Sequence, residues 1–348
     1  MKPHAPRLRS FARIALDDFP VDAAWSPDGG TLLVGCGEGA LVQLRPGARD
    51  PGSTELGRHA GGVLAVCWQA AGMLCASSGQ DGVVRLWDAR APATASAGVP
   101  AARELLREPR WSEQLAFAPG GRQLAVATGK RLRLYDLAGG LLADFADRPG
   151  SIAALAWRPK SPEIAAAANG GMRIHRAGNP PYTLDLPWKG ACLTASWSPD
   201  GRILASGLQD GSVHFWYVAA GKQSEMKGYG QKVRHTDWSA SGRWLATSAD
   251  EQIVVWDFGG RGPEGSAPLQ LRSHTARITQ LAFAPQGNLL VSGAGDRRLL
   301  AWQPGASEAP VDADLLGDEI VLLRFSRDGA RLAVGDRGGT LTCYEIGR

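Results

Sequence analysis

The sequence predicts an all-β fold: an eight-bladed β-propeller whose blades are four-stranded antiparallel sheets. Three observations lead there. An aromatic residue followed by a turn-forming segment recurs eight times along the 348 residues. Between recurrences the apolar residues alternate with period two, the pattern of half-buried strands. The 45 glycines and 22 prolines punctuate the chain too often for long helices.

The eight anchors are Trp25, Trp68, Phe117, Trp157, Trp197, Trp238, Phe283 and Phe325. "WSPDG" stands at 25–29 and again at 197–201, with variants such as "FAPGG", "WSASG" and "FSRDG" elsewhere. Each unit follows one grammar. A short run leads to the anchor, a turn follows, and an apolar run such as "ILASG" at 203–207 comes next. A second turn, often holding Asp, leads to a third run such as "SVHFW" at 212–216. A fourth strand fits the variable stretch before the next unit. A unit this small cannot bury its apolar face alone, so neighbouring units must stack.

The first unit lacks a tryptophan in its third run, "ALVQL", but keeps both turns. The last unit ends at residues 340–347 and has no room for an outer strand. Residues 9–16 have strand composition and are expected to supply it, closing the last blade after a flexible tail at 1–8. Residues 9–348 are then a single propeller. The alternative is a seven-bladed ring with one degenerate unit outside it. Residues 89–110 are read as a surface loop with a helical turn at 101–109. Residues 257–271, rich in Gly and Pro, fall at the corresponding place in a later unit.

These units resemble the WD40 family of β-propellers over nearly the whole chain. The residues that carry the resemblance are His59, Ser77, Asp81 and Trp87, and again His274, Ser292, Asp296 and Trp302. His and Asp are 22 apart and Asp and Trp 6 apart in both sets. The resemblance implies that they form a structural hydrogen-bond relay within a blade. The chemistry suits that role: carboxylate, imidazole, hydroxyl and indole N–H can satisfy one another in a buried place. The family implies fold far more than function.

Other classes of function find little support. The net charge of +4 is spread through 38 basic and 34 acidic residues, which argues against a nucleic-acid binder. No run reaches the length of a membrane span, and Lys2, His4, Arg7, Arg9 and Arg13 interrupt any leader-like stretch. The five cysteines have no CxxC spacing, which suits buried thiols in a cytoplasmic protein. The six histidines show no metal-ligand spacing, and "GCGEG" at 35–39 lacks the rest of a phosphate loop. No catalytic residues, metal or cofactor are assigned. The expectation is a monomeric, non-catalytic scaffold that binds a protein or acidic peptide. The alternative is an enzyme, a hydrolase or metal-dependent oxidoreductase, built around a central channel.

Two sets of residues are the candidate sites. Small residues precede most anchors, so Asp237 and Arg324 stand out there as channel residues; Asp22 and His235, in the layer two positions earlier in their strands, join them. The partner surface is expected on the loops that lead into the inner strands. Trp188, Lys189, Tyr229, Lys232, Arg234 and Arg277 lie there, and in the stretches 185–193 and 221–238 aromatic and cationic residues replace the usual Gly–His. Exposed tryptophan and arginine are frequent interface anchors.

Overall fold

The computed structural model describes residues 7–47, 52–89, 102–260 and 262–347. The fold is the all-β, eight-bladed propeller. Among the described residues the strands form seven four-stranded antiparallel sheets and one three-stranded sheet. The chain divides into two compact units, Pro20–Ala195 and Met1–Phe19 with Ser196–Arg348.

The first unit carries blades one to four. Blade one is Pro20–Trp25, Leu32–Cys36, Ala40–Leu44 and Ser53–Arg58. Blade two is Val63–Trp68, Leu74–Gly79, Val83–Asp88 and Arg103–Arg107. Blade three is Ser112–Phe117, Gln123–Thr128, Arg131–Asp136 and Leu141–Phe145. Blade four is Ala154–Trp157, Ile164–Arg176 and Tyr182–Ala191. Its long strand serves as two: Ile164–Ala167 pair with the inner strand and Gly171–Arg176 with the outer one. The change of partner falls at Gly170 and Gly171, with φ of 87° and 110°, where a side chain would be strained.

The second unit carries blades five to eight. Blade five is Ser196–Trp197, Ile203–Gly207, Val213–Tyr217 and Lys222–Met226. Blade six is His235–Trp238, Trp244–Ala249, Gln252–Asp257 and Leu269–Arg272. Blade seven is Ile278–Phe283, Leu290–Ala294, Arg298–Trp302 and Asp312–Leu315. Blade eight is Ile320–Phe325, Arg331–Asp336, Thr340–Gly347 and, outermost, Arg7–Ala15. The N-terminal strand therefore closes the last blade as the sequence predicts. It begins two residues earlier than expected, because Arg7 and Leu8 pair with Gly347 and Ile346. Residues 1–6 of the expected tail lie outside the described residues.

The expected helical turn at 101–109 is corrected. Arg103–Arg107 is the outer strand of blade two, paired with Val83–Leu86. A free edge of sheet and the apolar row of blade two outweigh the helix propensity of "AARELLR". Residues 90–101 of that expected loop lie outside the described residues.

The core runs between successive blades within each unit. Trp244, Ile253 and Val255 of blade six pack with Ile278, Phe283, Leu300 and Trp302 of blade seven. Spacing is set by small residues on the second strands. A Cβ on Gly207 would meet the backbone oxygen of Val233 at 2.4 Å, and one on Gly293 would meet Ile320 at 2.5 Å. Glycine is required there because the next inner strand crosses at van der Waals distance. All five cysteines are free thiols, and all but the half-buried Cys67 are buried.

Candidate functional site

The two predicted relays form as expected. In blade two the Trp87 indole donates to Ser77 Oγ at 2.9 Å, and His59 Nε2 lies 2.9 Å from the same oxygen. His59 Nδ1 lies 2.9 Å from Asp81 Oδ1, whose carboxylate also accepts from the backbone of Ala60 and Val83. Because Ser77 accepts from the indole, its own proton points to Nε2, and Nδ1–H donates to Asp81. Blade seven repeats this through Trp302, Ser292, His274 and Asp296. Burial pushes both histidines below their ordinary range, and hydrogen bonds hold both aspartates low.

The relay histidine stands nine residues before its anchor, and the same place in the other units is Leu16, Glu108, Arg148, Trp188, Tyr229 and Leu316. Two residues expected on the partner surface occupy it. Tyr229 is corrected from an exposed anchor to a relay member. Its hydroxyl accepts the Trp256 indole proton at 2.7 Å and lies 2.7 Å from Thr247 Oγ1. Burial raises this phenol to about 12. Trp188 is half-buried within the strand Tyr182–Ala191 rather than standing clear on a rim, whereas the adjacent Lys189 is exposed. In blade four the place holds Arg148, buried, whose Nη2 donates to the Gly171 oxygen at 2.6 Å.

The expected channel residues are also redistributed. Asp22 accepts from its neighbour Ala23 and from Val66 N of blade two at 2.9 Å. Asp237 accepts from Trp238 N at 3.0 Å and from Phe283 N of blade seven at 2.7 Å. Each carboxylate thus staples one inner strand to the next. Burial raises the Asp237 carboxyl to about 6. Arg324 donates to the Leu323 carbonyl at 2.9 Å and reaches Gln280 Oε1 at 3.5 Å. In place of the predicted approach to Arg324, Asp237 bonds the backbone of its own inner strand and of the next.

The remaining predicted residues converge. A cleft of about 180 Å³ is lined by Gln231, Lys232, Arg234, His235, Ser248, Asp250, Arg277 and Ile278. It lies between blades six and seven, on the loops leading into their inner strands. Arg234 and Arg277 are exposed and Lys232 is half-buried. His235 Nδ1 lies 2.8 Å from Ser248 Oγ. Burial first, then the charges of Arg234, Arg277 and Arg324, lower this imidazole to about 4. The cleft can therefore offer cationic donors to an oxyanion beside a neutral imidazole. Sequence reasoning put His235 with the channel and the three cations with the partner surface; the structure places all four in one lining. Beside it, a groove of about 320 Å³ includes Lys227, Tyr229, Ala249, Val254, Trp256 and Arg272 in its lining. Among the described residues no group of three or more His, Cys, Asp or Glu is gathered to hold a metal ion. Nor, among them, is any helix long and apolar enough to cross a membrane.

Blades with this relay, repeated at this period, define a WD-repeat propeller. The chain carries WD40 repeats: the family model described as WD domain, G-beta repeat matches residues 52–88, 178–217, 221–257 and 265–303. It is similar to the B-type cell cycle switch protein ccs52B of Medicago truncatula, 25% identical over 86% of this chain and 61% of that protein. It is similar also to FIZZY-RELATED 3 of Arabidopsis thaliana, 24% identical over 86% of this chain and 62% of that protein. The Anaphase-promoting complex subunit cdh1 of Dictyostelium discoideum is 30% identical over 36% of this chain and 17% of that protein. The chain thus spans about six-tenths or less of the length of these relatives. Among solved structures, the computationally designed Ika8 protein matches with a TM-score of 0.76 and 20% identity. That match covers 97% of this chain and 100% of the designed one, and shows the fold alone.

Proposed function

We propose that this chain is a non-catalytic scaffold that binds an acidic segment of a partner protein in the cleft between blades six and seven. The observation that carries the reading is the gathering of Lys232, Arg234 and Arg277 around one small cleft, with Asp250 as the acidic group of its lining. Arginine presents a planar fork that pairs with carboxylates, and the low-dielectric walls of a cleft strengthen the attraction. The neighbouring groove, with Tyr229 and Trp256 in its lining, offers apolar area to a residue flanking the acid. Among the described residues, His59, His175, His214, His235 and His274 each hydrogen-bond a side chain of a neighbouring strand or turn, which favours a binding role over a catalytic one. The relative named as an anaphase-promoting complex subunit works within an assembly, and supports a protein as the partner.

The test is charge reversal. Wild-type chain and the Arg234→Glu/Arg277→Glu variant are immobilised and offered one library of acidic peptides. The variant should retain its melting temperature and lose at least tenfold in affinity, about 1.4 kcal/mol. Equal retention of acidic peptides by both proteins would place the binding surface elsewhere.

A further inference from the structure

The geometry points to His235 as a proton-dependent ligand of the cleft: a carboxylate bound by Lys232, Arg234 and Arg277 draws a proton onto this imidazole. The inference rests on the acidic-segment reading above and adds its regulation.

His235 lies in the lining with the three cations, so a bound carboxylate and the imidazole share one small space. Its Nδ1 faces Ser248 Oγ at 2.8 Å, a hydroxyl that can donate to a neutral nitrogen or accept from a protonated one. The backbone of Thr279 in blade seven lies near enough to the ring to favour the protonated form. No rearrangement of the strands is therefore needed for the ring to gain its proton.

The charged groups around the ring come from several elements. Arg234 precedes it in the chain. Arg277 comes from the loop leading into blade seven, and Arg324 from the inner strand of blade eight. Lys232 and Asp250 complete the lining, and Asp237 lies two residues along the same strand. In the free cleft burial and the three arginines hold the imidazole neutral, at about 4. An anion seated against Arg234 and Arg277 offsets their field, so the bound form holds a proton more tightly than the free form. Binding then takes up a proton, and affinity rises as the pH falls through the range where the bound imidazole titrates.

The experiment uses a rhodamine-labelled hexaglutamate peptide, whose carboxylates remain largely ionised at pH 5.5. If the bound carboxylate returns His235 to its ordinary range near 6.5, affinity should rise about tenfold between pH 7.5 and 5.5. His235→Gln keeps a side chain able to meet Ser248 and should bind with a flat pH profile. A flat profile in the wild type, or an equal rise in His235→Gln, overturns the inference while leaving the scaffold reading in place. An equal rise in the variant would assign the titration to Asp237, which burial raises to about 6. No binding at either pH overturns both. A second readout needs no variant: calorimetry at pH 6 in buffers of different ionisation enthalpy should show net proton uptake on binding. Zero uptake or release contradicts the inference.

Discussion

Trp256 donates its indole proton to the hydroxyl of Tyr229 at 2.7 Å, across 27 residues of sequence. A phenol thus does in blade six what a serine–histidine pair does in blades two and seven. Thr247 stands where those blades have serine, and its own hydroxyl donates to the Val254 carbonyl at 3.0 Å. Tyr229→Phe should destabilise the protein by about 1–3 kcal/mol, because a buried indole N–H loses its acceptor. Chemical denaturation measures the loss, and peptide binding in the cleft should be unchanged once folding is accounted for. An unaltered midpoint would mean that solvent replaces the phenol freely.

Trp87→Phe and Trp302→Phe should each cost about 1–3 kcal/mol, from the lost indole hydrogen bond to the serine oxygen and the lost volume. Both indoles are almost fully buried, so neither serine can turn to solvent for a partner. The change appears as a shift of the urea midpoint at constant slope.

Removing residues 1–16 should lower stability by about 3–6 kcal/mol, from lost burial of side chains such as Ile14 and Leu8 and a newly opened strand edge. The strand pairs along Thr340–Gly347, and Leu8 N donates to Asp312 Oδ2 of blade seven at 2.7 Å. Tyr344, fully buried in the core of blades seven and eight, loses part of its cover. A thermal melt of the truncated chain that matches the full chain would contradict closure by this strand.

Stability should fall as the pH drops below about 6.5. Burial lowers His59, His175, His214, His235 and His274 in the folded state, with His175 and His235 at about 4. The unfolded chain therefore binds protons at a pH where the folded one does not. The stabilisation is complete above the unfolded value near 6.5 and is lost as the pH falls towards the folded ones, by roughly 1 kcal/mol per strongly shifted histidine at pH 5.5. Asp237, raised to about 6, acts in the opposite sense but is a single group. Melting temperatures at pH 7.5 and 5.5 decide the sign.

Arg148→Met should leave stability unchanged or raise it. The guanidinium is 5% exposed, and its Nε and Nη1 have no hydrogen-bond partner among the described residues. Its burial costs more than its bond to the Gly171 carbonyl returns, and methionine fills similar volume without that cost. A loss above about 2 kcal/mol would show that the charge is compensated.

Period and turn chemistry made the blades, the anchors and the N-terminal strand legible in the sequence, because repeated strands need repeated spacing. The relays of His59 and His274 were legible for the same reason. Tyr229 was misplaced because its residue type, not its place nine residues before Trp238, was given weight. Arg103–Arg107 was obscured by good helix formers that a sheet edge overrides. Asp22 and Asp237 looked like channel carboxylates because nothing in a sequence tells which backbone N–H a buried carboxylate will meet. The cleft itself was half legible: Lys232, Arg234 and Arg277 were singled out, but the joining of His235 to them depends on how blades six and seven pack.

Hydrogen–deuterium exchange with and without a glutamate-rich peptide tests the central claim most directly, since it locates the bound acidic segment on the chain. The account predicts slowed exchange in residues 227–235, 248–250 and 273–278, the loops that make the cleft and its adjoining groove. Protection confined to other loops, such as 284–289 and 328–330, would contradict it.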